Sequence, residues 1–172
     1  MLSNDEILKN IENGNIVIKP FNKENLKPNS YSVHMTDEII VYKNKTLDSR
    51  KVNEYETLTI PKEGFTLMPG EVYLARTVEY TETRSFVPLL HGRLSLATLG
   101  ICIHITAGFG DNGFCGTWTL EITCARPVRI YKNMKIGQIC YIPIIGNQSI
   151  YYNGKYQNQI NTKTSMMHKD FE

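Results

Sequence analysis

Nothing in these 172 residues approaches the ~20 consecutive apolar positions that a membrane-crossing helix needs. Neither sign of charge dominates: 19 Lys+Arg stand against 17 Asp+Glu, a net charge of +2. A nucleic-acid footprint would show as a strongly basic face. No membrane and no nucleic-acid partner is therefore expected. Cysteine is scarce and unpaired in sequence. Cys102, Cys115, Cys124 and Cys140 include no C-x-x-C, which argues against a disulfide framework and against zinc. The four are read as reduced and mostly buried, in a cytoplasmic setting. The residues from Met1 to Glu6 carry neither a basic stretch nor an apolar one, so no secretory leader is expected. His34, His91, His104 and His168 have no mutual spacing that suggests a metal site or a catalytic triad. Repeats, low-complexity tracts and linkers are also missing, so residues 1–172 read as one domain, long enough to bury ~70% of the unfolded surface.

What is present is a β pattern. Ser3 with Glu6 has capping-box spacing, and Ile7, Leu8 and Ile11 continue it as a short helix that Gly14 ends. The seven prolines are spread from Pro20 to Pro143 and interrupt any long helix. Short β-branched or aromatic runs follow, at Val17–Ile18, Ile39–Tyr42, Leu58–Ile60, Phe65–Met68, Val72–Ala75, Val128–Tyr131 and Ile136–Ile142. Two stretches alternate strictly. Along Ile101–Thr106 the isoleucines face one way and Cys102, His104 and Thr106 the other. Along Thr117–Thr123, Trp118, Leu120 and Ile122 share a face and Glu121 lies on the opposite one between two threonines. Many short strands with frequent turns predict an all-β sandwich or barrel. From Asn147 onward the chain is polar and without period, and reads as an arm packed on something else.

Four segments are candidates for chemistry. Glu121 lies in an otherwise apolar strand. In a cleft, partial burial would suit it to general-base work, whereas on an open strand it is only a solvent-facing carboxylate. The loop 107–116 has four glycines, which let the backbone approach a ligand closely. There Asp111 either orients a ligand hydroxyl or base, or makes an Asx turn. Within 92–100, Arg93 and Ser95 have the chemistry of a phosphate contact, or else the segment is a helical turn with Leu94, Leu96 and Leu99 in the core. The stretch 152–159 is rich in aromatics and amides around Lys155. It either closes over a nucleotide or is solvated tail. It is not a phosphate-binding Walker loop, because Tyr156 follows the lysine. His104 reads as a strand histidine with a satisfied hydrogen bond.

Taken in order, these segments resemble the dCTP deaminase family of the dCTP deaminase/dUTPase superfamily. The resemblance runs nearly end to end. It is carried by Ile18-Lys19-Pro20-Phe21, Glu24-Asn25-Leu26-Lys27-Pro28, Gly92-Arg93-x-Ser95-Leu96-Ala97, His104-Ile105-Thr106-Ala107-Gly108-Phe109, Asp111-x-Gly113-Phe114-x-Gly116, Leu120-Glu121, Lys135-Ile136-Gly137-Gln138, Gly154-Lys155-Tyr156-Gln157-x-Gln159 and His168-Lys169-Asp170-Phe171. It implies an all-β, distorted β-barrel or jelly-roll of the dUTPase-like type with a short N-terminal helix. It also implies a homotrimer with sites shared between subunits, residues 147–172 closing over the nucleotide as a C-terminal arm. The implied reaction is zinc-independent hydrolytic deamination of dCTP to dUTP. The chain indeed lacks the H-x-E and P-C-x-x-C signature of zinc deaminases. The resemblance makes Glu121 the general base. It assigns Arg93, Ser95, Tyr152, Lys155 and Gln159 to the phosphates, which carry Mg²⁺, and it places Ala107 and Asp111 at the nucleoside.

The chain departs from the family pattern Gly-Arg-Ser-Ser-Leu-Ala-Arg at two positions, Leu94 and Thr98, and an early family aspartate is replaced by Ser32. Leucine offers no donor or acceptor and threonine no charge. Three functions are therefore expected in order: a pyrimidine deoxynucleotide protein that deaminates dCTP; a catalytically inactive homologue that sequesters a nucleotide or nucleotide-derived signal; and a dUTP pyrophosphatase.

Overall fold

A computed structural model describes residues 1–104 and 106–172. It is mostly β, with 41% of residues in strands and 12% helical. The helix α1 (Asn4–Glu12) forms where the sequence places it: the Ser3 hydroxyl accepts the Glu6 N–H at 3.3 Å, and Gly14 follows at φ +75°. Ile7 anchors its inner face, fully buried. Then come β1 (Ile16–Lys19), β2 (Leu26–Lys27), β3 (Ser30–His34), β4 (Glu38–Tyr42), β5 (Tyr55–Thr59) and β6 (Phe65–Leu67). The long β7 (Tyr73–Thr83) and β8 (Phe86–Gly92) lead into a four-residue turn of helix, α2 (Leu94–Ala97). The chain ends its regular β structure with β9 (Ile101–Ile103), β10 (Cys115–Cys124), β11 (Val128–Ile130) and β12 (Lys135–Pro143).

The strands pair antiparallel. One sheet has the order β5-β4-β7-β10-β9, with β1 added along the far half of β7. A second has the order β2-β3-β12-β8, and β6 pairs with β11. The expected barrel is not closed. The ladder ends at β8, where the chain leaves through α2 before β9 joins the other sheet, so the structure is a sandwich of separate sheets. Tyr31, Val33, Ile139 and Tyr141 from the second sheet meet Ile18, Ala75, Leu120 and Ile122 from the first in one buried cluster. That alternation matches the sequence reading of Trp118, Leu120 and Ile122. Two expectations fail. Leu94 and Leu99 are 81% and 56% exposed, so of the three leucines around α2 only Leu96 enters the core, α2 being too short to bury more than one face. The strand read across 101–106 stops at Ile103, and Ile105 lies outside the described residues. All four cysteines are free, three of them buried and Cys102 exposed. Among the described residues no helix is long and apolar enough to cross a membrane.

The inward face of β7 is polar where it meets β10. Thr77, Glu79, Thr81 and Thr83 are all buried. The Glu79 carboxylate is satisfied by the His34 backbone N–H at 2.8 Å and by His34 Nδ1 at 2.6 Å. Opposite, the β7–β10 register slips between Thr117 and Thr119. The bulge takes the Trp118 N–H out of the ladder, and the Thr77 hydroxyl accepts it at 2.9 Å. The indole Nε1–H donates to Thr81 Oγ1 at 2.8 Å. Thr81→Val should leave that buried donor unpaired and cost about 1–3 kcal/mol, read as a lower urea midpoint at unchanged m-value.

Candidate functional site

The bulge at Trp118 sets the register of the strand beyond it, so that Thr119 and Glu121 face outward beside the indole. There β10, His104, the loop 107–114 and the segment after Asn147 enclose a cleft of about 570 Å³. One wall is a run of edge-to-face aromatic rings. Tyr152 meets Phe114 at 6.0 Å, Phe114 meets Trp118 at 5.2 Å, and His104 meets Trp118 at 6.3 Å. Tyr42 of β4, Leu74 of β7 and Tyr156 add to the apolar lining, with Leu47, Val72 and Phe109. Against these surfaces stand two carboxylates, Glu121 and Asp111. A planar, weakly polar ring with a few hydrogen-bonding edges suits such a cleft.

The glycines of the loop serve packing. A Cβ on Gly110 would lie 2.3 Å from Trp118 Cη2 and 2.9 Å from Pro88 Cγ. The Gly110 N–H donates to Pro88 O at 2.9 Å, and the Leu90 N–H donates to Gly108 O at 2.8 Å. The loop is thereby tied to β8, which leaves Phe109 at the rim, 64% exposed.

The segment after Asn147 is held to β10 mainly by amide side chains. Gln157 Nε2 donates to Gly113 O and Tyr152 O, and its Oε1 accepts the Cys115 N–H at 2.8 Å. Gln159 Nε2 donates to Thr117 O at 2.7 Å, and the Thr117 N–H donates back to Gln159 O at 2.9 Å. Gln159 Oε1 is buried with no partner among the described residues. Further along, the Ser165 N–H donates to Tyr42 Oη at 2.9 Å and the Met166 N–H to Tyr156 Oη at 2.9 Å.

Of the residues singled out from the sequence, Ala107, Asp111, Glu121, Tyr152 and Gln159 come together in this cleft. The others do not line it. Arg93, Leu94, Ser95 and Thr98 sit on and around α2, where an Arg93 guanidinium N–H donates to Lys135 O at 3.4 Å and Thr98 Oγ1 donates to Ser95 O at 3.3 Å. Lys155 is engaged by Asp170 at 2.5 Å. Within this chain, then, Arg93 and Ser95 do not line the cleft that holds Glu121. Sequence reasoning missed Tyr42, Trp118, Tyr156 and Thr164 as cleft residues. Trp118 was visible only as core, Tyr156 only as a member of the 152–159 segment without a role of its own, and Tyr42 and Thr164 carry no motif. His104 is corrected outright: it leaves the strand at φ +48°, and neither ring nitrogen has an aligned hydrogen-bond partner. Among the described residues no three His, Cys, Asp or Glu side chains cluster as a metal would require.

The class of protein follows from this architecture. The fold aligns with the crystal structure of 2'-deoxycytidine 5'-triphosphate deaminase from Agrobacterium tumefaciens at a TM-score of 0.64 and 14% identity. The alignment covers 81% of this chain, which spans 47% of the length of that one. That likeness shows a shared fold. The dCTP deaminase-like family model matches residues 1–144. A Clostridium botulinum protein named dCTP deaminase, dUMP-forming, is 52% identical over 172 residues, covering 100% of this chain and 99% of that one. One of the same name from Hathewaya histolytica is 51% identical at the same coverage. The chain belongs to the dCTP deaminase-like family.

Because the Gln159 side chain donates from Nε2 to Thr117 O, Gln159→Ala should loosen the residues after Asn147 while the sheets persist. Limited proteolysis should cleave within 147–172 faster than in the wild type, leaving a stable core fragment.

Proposed function

We propose that this protein binds a pyrimidine deoxynucleoside triphosphate and hydrolytically deaminates dCTP, carrying the product on to dUMP. The observation that carries this reading is the end-to-end identity of about half with relatives named for that conversion. The cleft supports it, because its one strand-borne carboxylate faces an aromatic wall sized for a base. Glu121 takes a proton from water. The hydroxide adds to C4 of the cytosine as the C4=N3 π pair moves to N3; the hydroxyl proton of the adduct passes to N3, Glu121 returns its proton to the 4-amino group, and ammonia leaves as the C4 carbonyl forms. dUTP remains. A second water then attacks the α-phosphorus, displacing pyrophosphate and leaving dUMP. That step needs its own base, and Asp111 is the other carboxylate of the cleft. Mg²⁺ accompanies the triphosphate as part of the substrate.

Arg93, Ser95 and Lys155 belong to the phosphate clamp in this reading, with Tyr152 and Gln159 beside them. Since Arg93 and Ser95 lie away from the Glu121 cleft of their own protomer, the complete site is assembled between neighbouring subunits of a homotrimer in the cytoplasm. Ala107 and Asp111 hold the nucleoside.

A second reading rests on α2. Leu94 is 81% exposed and Thr98 is uncharged, where the family pattern has serine and arginine. A protein that captures a nucleotide and holds it needs the clamp but not those groups. Loss of one preorganised electrostatic partner commonly costs ~10²–10³ in rate, so turnover slow by that factor fits the first reading and none fits the second.

Chromatography of products from dCTP and Mg²⁺ separates the two. Deamination is expected to appear, to fall by at least ~10²-fold in Glu121→Gln, and to rise in the double variant Leu94→Ser with Thr98→Arg. A thermal shift with dCTP but no product in any of the three proteins establishes the capture reading instead.

A further inference from the structure

One close neighbour of Glu121 has no task in this scheme. His104 Nδ1 lies 2.6 Å from Glu121 Oε2, and the two residues also meet through the backbone, the His104 N–H donating to Glu121 O at 3.2 Å. We propose that His104 is the positioning residue for Glu121. It donates from Nδ1 to one carboxylate oxygen and leaves the other to receive the proton of the attacking water. The proposal rests on the reading of Glu121 as the base.

Four features of the structure converge on it. The backbone of His104 is left-handed at φ +48°, a conformation that a non-glycine residue holds only where its surroundings impose it. It ends the alternation of β9 and directs the imidazole to the cleft. The ring is enclosed, its side chain 3% exposed, and it stands edge-on to Trp118 at an interplanar angle of 84°. Both ring nitrogens are buried without an aligned partner, and a native fold seldom leaves buried polar atoms in that state without a use for them. Glu121, in contrast, is 40% exposed, and its carboxylate makes no other hydrogen bond among the described residues. The fixed partner is therefore the histidine and the movable one the carboxylate.

The contact is close but not aligned. Catalytic hydrogen bonds in unliganded structures are often poorly directed and tighten when substrate binds. Rotation of the more exposed Glu121 side chain would align it, since the ring is enclosed and stands against Trp118. An oxygen at this distance from Nδ1 calls for a proton on that nitrogen, in the neutral Nδ1–H tautomer or in the imidazolium. A carboxylate turned by a fixed donor presents its second oxygen in one direction, which is the positional control a base needs.

His104→Ala should lower kcat for dCTP deamination by about 10²-fold and leave KM and the thermal shift with dCTP within about twofold. His104→Asn, whose side-chain amide places a donor near the position of Nδ1, should recover part of kcat. Equal losses in kcat and affinity, or an asparagine variant no better than alanine, would overturn the proposal. A second measurement does not depend on turnover: nitrogen-15 spectra of the histidine rings in the wild type and in Glu121→Ala. A His104 ring protonated at Nδ1, with resonances that move when Glu121 is truncated, supports the pairing. A ring protonated at Nε2 alone and indifferent to Glu121 overturns it. A wild-type protein that turns over no dCTP yet shows the Glu121-sensitive ring supports the pairing and overturns the catalytic reading of Glu121.

Discussion

The seating of Trp118 on the polar face of β7 is the interaction on which the rest of this structure depends. Two threonine hydroxyls, from Thr77 and Thr81, accept its main-chain and indole N–H groups. Without those acceptors, a bulge at this point would bury two unpaired donors. With them, β10 absorbs a break in register inside a sheet, and Glu121 comes to stand over the cleft. The same ring supports Phe114 and His104 at its edges and forbids a side chain at Gly110. One large residue thus orders the strand, the glycine loop and the aromatic wall together.

The cleft and α2 divide the expected chemistry between them. Proton transfer and base recognition need a partly enclosed, apolar surrounding with a few directed groups, and the Trp118 side provides it. The proposed hold on a triphosphate calls for cations and hydroxyls, and the candidates are the half-buried Arg93 that caps α2, Ser95 within it, and the half-buried Lys155. Lys155 already has a counter-ion in Asp170.

Much of this was legible in the residues. The α1 cap, the inward face of β10 and most strand positions follow from capping chemistry and period-2 alternation, which are local rules. Ala107, Asp111, Glu121, Tyr152 and Gln159, singled out from segments far apart in the chain, line one cleft. What local rules did not reveal depends on non-local geometry. The open sandwich arises because α2 interrupts the ladder between β8 and β9. Leu94 and Leu99 have the spacing of core residues, yet a single helical turn has only one side to bury. His104 alternates properly with Ile101 and Ile103 in sequence, but its neighbours across the fold, Trp118 and Glu121, decide its backbone. Tyr42 reaches the cleft only because a segment more than 120 residues later, at Ser165, returns to its hydroxyl.

That return has a bearing on how the molecule is made. The sheets are complete once β12 has been synthesised, and all their ladders lie within the first 143 residues. The cleft is not, since Tyr152, Gln159 and Ser165 supply part of its wall. During translation from the N-terminus the sandwich is therefore able to condense first, with its polar β10 edge still open to water. The recognition surface comes into being only when the last two dozen residues emerge from the ribosome and dock.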